Sequence, residues 1–482
     1  MAQPSSAYEP RDPTSSILYG IVRDHFETFR ADAASLRDGE GLPRFVEQEF
    51  RDFLRCGCLA GGFARFRCTA CGLDRLVAFS CKGRGFCPRC GGRRMAERSA
   101  HLIDHVFPDV PVRQWVLSLP YRMRYQLAWN HDACRGVVAA FVRAVLGSLR
   151  ARARDGGVDD GRGGAVAVIQ RFGGALNLNL HIHALVLDGV FARSRAGVLN
   201  FHPTRRLTAL DVAEVLATVE PRIKRLLDRR GLGDGDDEGP APDAWADEAP
   251  GLAGLAAASV QGTVALGPHP GARLRRLGDP SEEGAAPAPG GCHARANCFD
   301  LHAGLVVPAG QRDRLERVCR YALRPPVTEE RLRLSNEGQV RLQLRQPWRD
   351  GTTDVVFDPV EFLGRLAVLV PRPRINLILY HGVLAPRAAW RPEVVRRETP
   401  EDGRDARLTE TATAQAREPD PADTARRQVR GQCWASLMAS TVSTRGSGTT
   451  DGLRDLLDGH PSRSLLRCRI GGVRAKMRRR VP

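Results

Sequence analysis

Two histidines stand two residues apart in the run LNLNLHIHALVLDGV, at His181 and His183. Side chains alternate between faces along an extended strand, so Asn177, Asn179, His181 and His183 project together. Leu178, Leu180, Ile182, Ala184 and Val186 point the other way, into a core. Two imidazoles on one rigid face can hold a divalent ion that polarises an oxygen of a substrate. A polar face carrying two ordinary histidines is the plainer alternative. Against it stands the long apolar opposite face, which fixes the pair on a sheet.

Seven of the 13 cysteines fall between Cys56 and Cys90. Cys68-x2-Cys71 and Cys87-x2-Cys90 are two short thiolate pairs at the gap of a zinc ribbon, and each pair would supply two corners of a tetrahedron. Cys56, Cys58 and Cys81 remain, enough for part of a second site. Zinc here would be structural. Arg84, Arg89, Arg93 and Arg94 surround the second pair and are expected to touch phosphate.

A nucleophile candidate follows much later. In the stretch 311–324, Leu315, Val318, Cys319 and Ala322 recur at helical spacing as a buried stripe. Tyr321 lies at the flank of that stripe, on the side shared with Arg314 and Arg317, where it could reach a phosphate on a neighbouring sheet. Pro325 and Pro326 stop the helix near Arg324. Packing alone is the ordinary role of a helical tyrosine.

The elements that must position these groups can be read along the chain. Residues 1–16 form a loose polar tail. Apolar spacing predicts two helices over 17–53, joined by a Gly-containing turn at 39–43. A basic amphipathic helix follows the cysteines and closes at Pro108, a strand is expected at 114–119, and a helix at 133–152. Two strands flank Gly173 and Gly174; a strand at 298–307 precedes the tyrosine helix, and a further helix lies at 359–370. Acidic, Gly- and Pro-rich segments near 231–251 and 278–291 are expected to be disordered insertions. The domain plan is therefore a helical and zinc-binding part at 17–100, a main domain at 101–390, and a poorly ordered tail at 391–482.

Composition bounds the partners. The chain has 482 residues, 72 Lys+Arg against 55 Asp+Glu and a net charge of +17. Only Lys82, Lys224 and Lys476 are lysines, so arginine supplies nearly all the positive charge. A GC-rich genome explains arginine over lysine, but the net excess points to a polyanion. At 42% hydrophobic residues, wholesale disorder is excluded. There is neither a run of about 18 apolar residues nor a secretory signal, so no membrane is expected and the location is cytoplasmic.

Together these residues resemble the rolling-circle HUH transposases of the insertion-sequence ninety-one type and the related common-region elements. The matching stretches are FLRCGC, RFRCTACG, SCKGRGFCPRC, VRQWVLSLPYRMRY, VIQRFGGALNLNLHIHALVLDGV, FDLHAGLVVPAG, RYALRPP and RINLILYHGVLAP. The resemblance implies an α+β fold: an HUH nuclease domain with a central antiparallel sheet and flanking helices, preceded by a small cysteine-rich zinc-binding module. It implies His181 and His183 as ligands of a catalytic Mg or Mn, Tyr321 as nucleophile, and Gln170 or His302 as a third ligand. Many relatives carry a histidine where this chain has Phe86 or Phe63, and no second tyrosine lies near Tyr321. The partner implied is single-stranded DNA at the ends of a mobile element, nicked and rejoined through a phosphotyrosine, at the bacterial nucleoid in use. A rolling-circle replication initiator and a zinc-dependent DNA-binding protein with a decayed nuclease are the alternatives, and Tyr380 is the competing tyrosine.

Overall fold

A computed structural model of the chain describes residues 12–36, 41–68, 74–233, 243–278, 292–395, 469–470 and 473–478. They fall into two units, one made of 1–16, 54–81 and 397–482, the other of 17–53 and 82–396. In the first unit, strands Phe63–Cys68 and Asp74–Ala78 form an antiparallel hairpin. Ala64 and Phe66 are buried while Arg65 is exposed and ion-paired to Asp74, the period-2 alternation of a one-sided sheet. Val473–Arg478 pairs on the free edge of Phe63–Cys68, and Arg469–Ile470 pairs with it. The stretch expected to be a poorly ordered tail thus includes two strands.

The second unit is built on a wholly antiparallel six-stranded sheet. Its order is Ile378–Gly382, Gly164–Phe172, Leu178–Leu187, Val112–Ser118, Phe299–Val307 and His293–Ala296. The strand expected at 114–119 runs over Val112–Ser118 and the one at 298–307 over Phe299–Val307, and two strands flank Gly173 and Gly174 as expected. Leu178–Leu187 holds a central place because both its faces are needed. Leu178, Leu180, Ile182, Ala184 and Val186 are buried to within about a hundredth of their area. Leu180 and Ile169 on that face meet Leu127, Trp129 and Cys134 of the helices Tyr121–Trp129 and His131–Asp155.

The histidine face turns apolar further along, at Leu185 and Leu187. These pack with Leu315, Val318 and Cys319 of the helix Arg312–Leu323 and with Leu102 and Ile103 of the helix Pro88–His105. That shared cluster lays the tyrosine helix on the histidine face. Helices Ile17–Ser35 and Arg44–Arg55 join through Phe26 and Phe50, stacked at 5.1 Å. Residues 17–53 and 82–105 therefore belong with the sheet, and the domain boundary expected near residue 100 falls inside the helix Pro88–His105.

The acidic stretch 231–251 is not a loop throughout. Trp245 stacks on Trp129 at 5.1 Å and on Tyr125 at 4.9 Å, anchoring a short helix Ala244–Glu248. A second helix, Pro250–Gln261, follows it. One buried aromatic outweighs the surrounding polar composition. Most of 278–291 lies outside the described residues. Among the described residues no helix is long and apolar enough to cross a membrane.

Candidate functional site

His181 and His183 share a face of the strand Leu178–Leu187, their rings 4.9 Å apart. Tyr321, in the last turn of Arg312–Leu323, presents its ring edge-on to His183 at 5.8 Å and 86°. It is 49% exposed, so its hydroxyl can meet a macromolecular substrate. Gln170 stands directly across from His181 on the neighbouring strand. Its Nε2 donates to Ala322 O at 3.1 Å and to Tyr321 O at 3.5 Å. Those carbonyls end a helix and have no partner within it, so Gln170 ties the tyrosine's turn to the histidine sheet.

The electrostatics favour metal ligation. Burial pushes His183 down to about 3, helped by His181 and Arg324, and pushes His181 down to about 4. Both imidazoles are therefore neutral at pH 7, as ligands must be. His181 donates from Nδ1 to Asn179 O at 2.8 Å, which leaves its Nε2 as the bare edge. Gln114 Nε2 lies 3.0 Å from the Nδ1 of His183; with that amide turned so that its oxygen accepts from Nδ1–H, the Nε2 of His183 is the unprotonated, ligating edge. That Nε2, and Gln170 Oε1, are buried with no hydrogen-bond partner among the described residues. Such orphaned atoms are rare in folded proteins, and two of them beside a second imidazole fit a divalent ion.

His302 lies elsewhere. It is two strands from His183, with its ring 5.9 Å from that of His293. Among the described residues no carboxylate or third histidine forms a metal-sized group with His181 and His183. Of the two candidate third ligands, the structure brings only Gln170 to the pair. Tyr380 is half-buried on the strand Ile378–Gly382, packed against the apolar cluster under the tyrosine helix. Burial pushes its hydroxyl up.

The thiols converge differently from their sequence spacing. The sulfurs of Cys56, Cys81, Cys87 and Cys90 all lie within 4.8 Å of one another. A zinc tetrahedron with bonds of about 2.3 Å has edges of about 3.8 Å, so this set can close on one ion. Cys87 caps the N-terminus of Pro88–His105, where the helix dipole favours a thiolate. Cys81 N donates to Cys56 Sγ at 3.3 Å. The expected partners of Cys87 and Cys90 were Cys68 and Cys71. Cys71 and the side chain of Cys68 lie outside the described residues. Cys58 stays apart, its thiol pushed up by burial and bonded to Leu54 O at 3.5 Å. Phe86, where relatives carry a histidine, is fully buried against Phe50 and Phe53 at 4.6 and 5.4 Å.

Residues 164–391, which hold the histidine strand and the tyrosine helix, match the family described as "Putative transposase". Residues 21–119, which hold all four converging cysteines, match the family "Transposase zinc-binding domain" of the insertion-sequence ninety-one type. The two matches support an insertion-sequence ninety-one-like transposase with an N-terminal zinc-binding domain. No curated protein and no solved structure matches it. A transposase binds the DNA of its element and cuts it, and the matched zinc-binding family together with the four-thiol cluster supports a structural zinc.

Several basic residues of the transposase are spent internally. Arg84 donates to Ile375 O at 2.5 Å, Arg94 to Gly83 O and Lys82 O at 3.0 and 2.9 Å, and Arg93 pairs with Glu97 at 2.8 Å. Arg89, Arg314 and Arg317 are exposed and keep their charge toward solvent. Gln114 escaped sequence reasoning because a lone glutamine carries no spacing signal.

Proposed function

We propose that this transposase nicks and rejoins single-stranded DNA at its element's ends through a covalent phosphotyrosine on Tyr321, in a rolling-circle cycle. The carrying observation is the edge-on seat of Tyr321 against His183, whose Nε2 is buried with no hydrogen-bond partner among the described residues. His181, His183 and Gln170 would hold Mg or Mn. That ion, when bound, supplies charge that polarises the scissile phosphate and offsets charge in the transition state.

The chain's own residues do the rest. Tyr321 Oη attacks phosphorus and loses its proton to water. The bond to the 3′ oxygen breaks, and that oxygen takes up a proton to become a 3′-hydroxyl able to prime replication. The 5′ phosphate stays on Tyr321, so the diester's energy is kept for rejoining. Gln170 holds the turn that carries Tyr321, and burial keeps both histidines neutral.

The test is incubation of end-labelled single-stranded DNA from the element's ends with Mg or Mn, followed by a denaturing gel. Tyr321→Phe removes only the attacking oxygen and should bind DNA normally yet form no labelled protein band. His183→Ala should also lose the band, while Tyr380→Phe keeps it. A band that survives Tyr321→Phe and vanishes in Tyr380→Phe overturns the assignment.

A further inference from the structure

Arg324 is the C-cap of the tyrosine helix, and Pro325 forces it into an extended backbone with φ −58° and ψ 148°. That turn lays its guanidinium over the Tyr321 ring at 4.1 Å and within 5.4 Å of the Phe172 ring centre. Two further guanidiniums stand close by. Arg331 is half-buried and donates to Gln343 O at 2.7 Å and Gly174 O at 2.9 Å, which fixes it in place. Arg345 is exposed and lies two residues after Gln343, whose carbonyl Arg331 binds, and the Arg345 charge acts on Arg331.

Among the described residues none of the three makes an ion pair with a carboxylate. Glu330 influences Arg345 only from beyond ion-pair distance. Burial lowers Arg331 to about 10, with Arg345 and Arg324 adding to the shift. Cations gathered without counter-charge beside a nucleophile raise one another's cost, and an anion among them removes it. The planar fork of arginine suits phosphate oxygens.

We infer that Arg324, Arg331 and Arg345 form a cradle for backbone phosphates of the DNA strand at the nucleophile. This rests on the reading of Tyr321 as the attacking residue. It assigns the strand's binding to arginines other than those around the cysteines, several of which are held by carbonyls and carboxylates.

The test uses the full chain carrying Tyr321→Phe, without added divalent metal, and a fluorescein-labelled oligothymidylate strand followed by anisotropy across a range of sodium chloride. Removing one arginine that neutralises a phosphate of a single strand should flatten the slope of log affinity against log salt by about 0.7. Arg345→Gln should show that change, and Arg331→Gln with Arg345→Gln about 1.4, again at about 0.7 per phosphate. Arg345→Lys, which keeps the charge, should keep the slope. Arg331 bonds two carbonyls, so if the double variant melts early, the exposed Arg345→Gln decides alone. A parental slope in Arg345→Gln overturns the cradle. Failure of the unmutated chain to form the phosphotyrosine would overturn the chemistry instead, because the slopes are read without cleavage.

Discussion

At the residue scale, the site depends on what stands behind each histidine. Gln114 reaches Nδ1 of His183 at 3.0 Å from the adjacent strand, and Asn179 O holds Nδ1 of His181. Groups of this kind fix ring orientation and tautomer, and their loss weakens metal affinity by roughly 10–100-fold. Gln114→Ala should therefore reduce Mn binding by that order, read as free Mn by electron paramagnetic resonance, with the circular dichroism unchanged. An unchanged Mn affinity would show that His183 needs no partner at Nδ1. Gln170 differs from Gln114 because it does two things at once. Its Nε2 holds the tyrosine's turn while its Oε1 faces no hydrogen-bond donor among the described residues.

At the element scale, helix ends decide more than helix middles. The helix Ala209–Asp228 opens with a capping box in which Thr208 and Asp211 bond each other's backbone, and Arg205 pairs with Asp211 at 2.6 Å. Burial alone would push the Asp211 carboxyl up, but the bonds from Arg205 and Thr208 outweigh it and hold it well below the usual range. The unfolded chain then binds more protons on the acid side. This stabilisation is complete above the ordinary carboxylate value and is lost as pH falls through the depressed one. Asp211→Asn should cost about 1 kcal/mol near pH 7, the usual worth of a cap. The difference should shrink in more acidic buffer, as urea melts at the two pH values will show. A gap that stays constant would mean that the charge contributes nothing.

At the scale of the whole molecule, metal and charge act together on a chain of net +17. Zinc binding to four thiolates is folding free energy, because the unfolded chain holds no preformed site. Cys56→Ser and Cys81→Ser should each remove zinc as completely as Cys87→Ser, measured by elemental analysis of purified protein. Chelation should lower the melting temperature of the parent and leave these variants unmoved. Full zinc occupancy in Cys56→Ser would return Cys87 and Cys90 to Cys68 and Cys71 as partners.

The sequence by itself determined the histidine strand, because period-2 alternation with an apolar rear face admits one placement. It determined the tyrosine helix as well, because an apolar stripe ends at two prolines. Both are local patterns, and the physics behind them acts over a few residues. What joins distant parts of the chain was not legible. The thiols show it plainly: the x2 spacing favoured Cys68 and Cys71, whose side chains lie outside the described residues, while among the described residues the sulfurs near Cys87 and Cys90 are those of Cys56 and Cys81. Trp245 restored helix to an acidic stretch by stacking on Trp129, a residue more than a hundred positions away. Arg94 looked free for phosphate until its guanidinium met two backbone carbonyls. A side chain's partners depend on where the fold puts other segments, and only tertiary structure decides that.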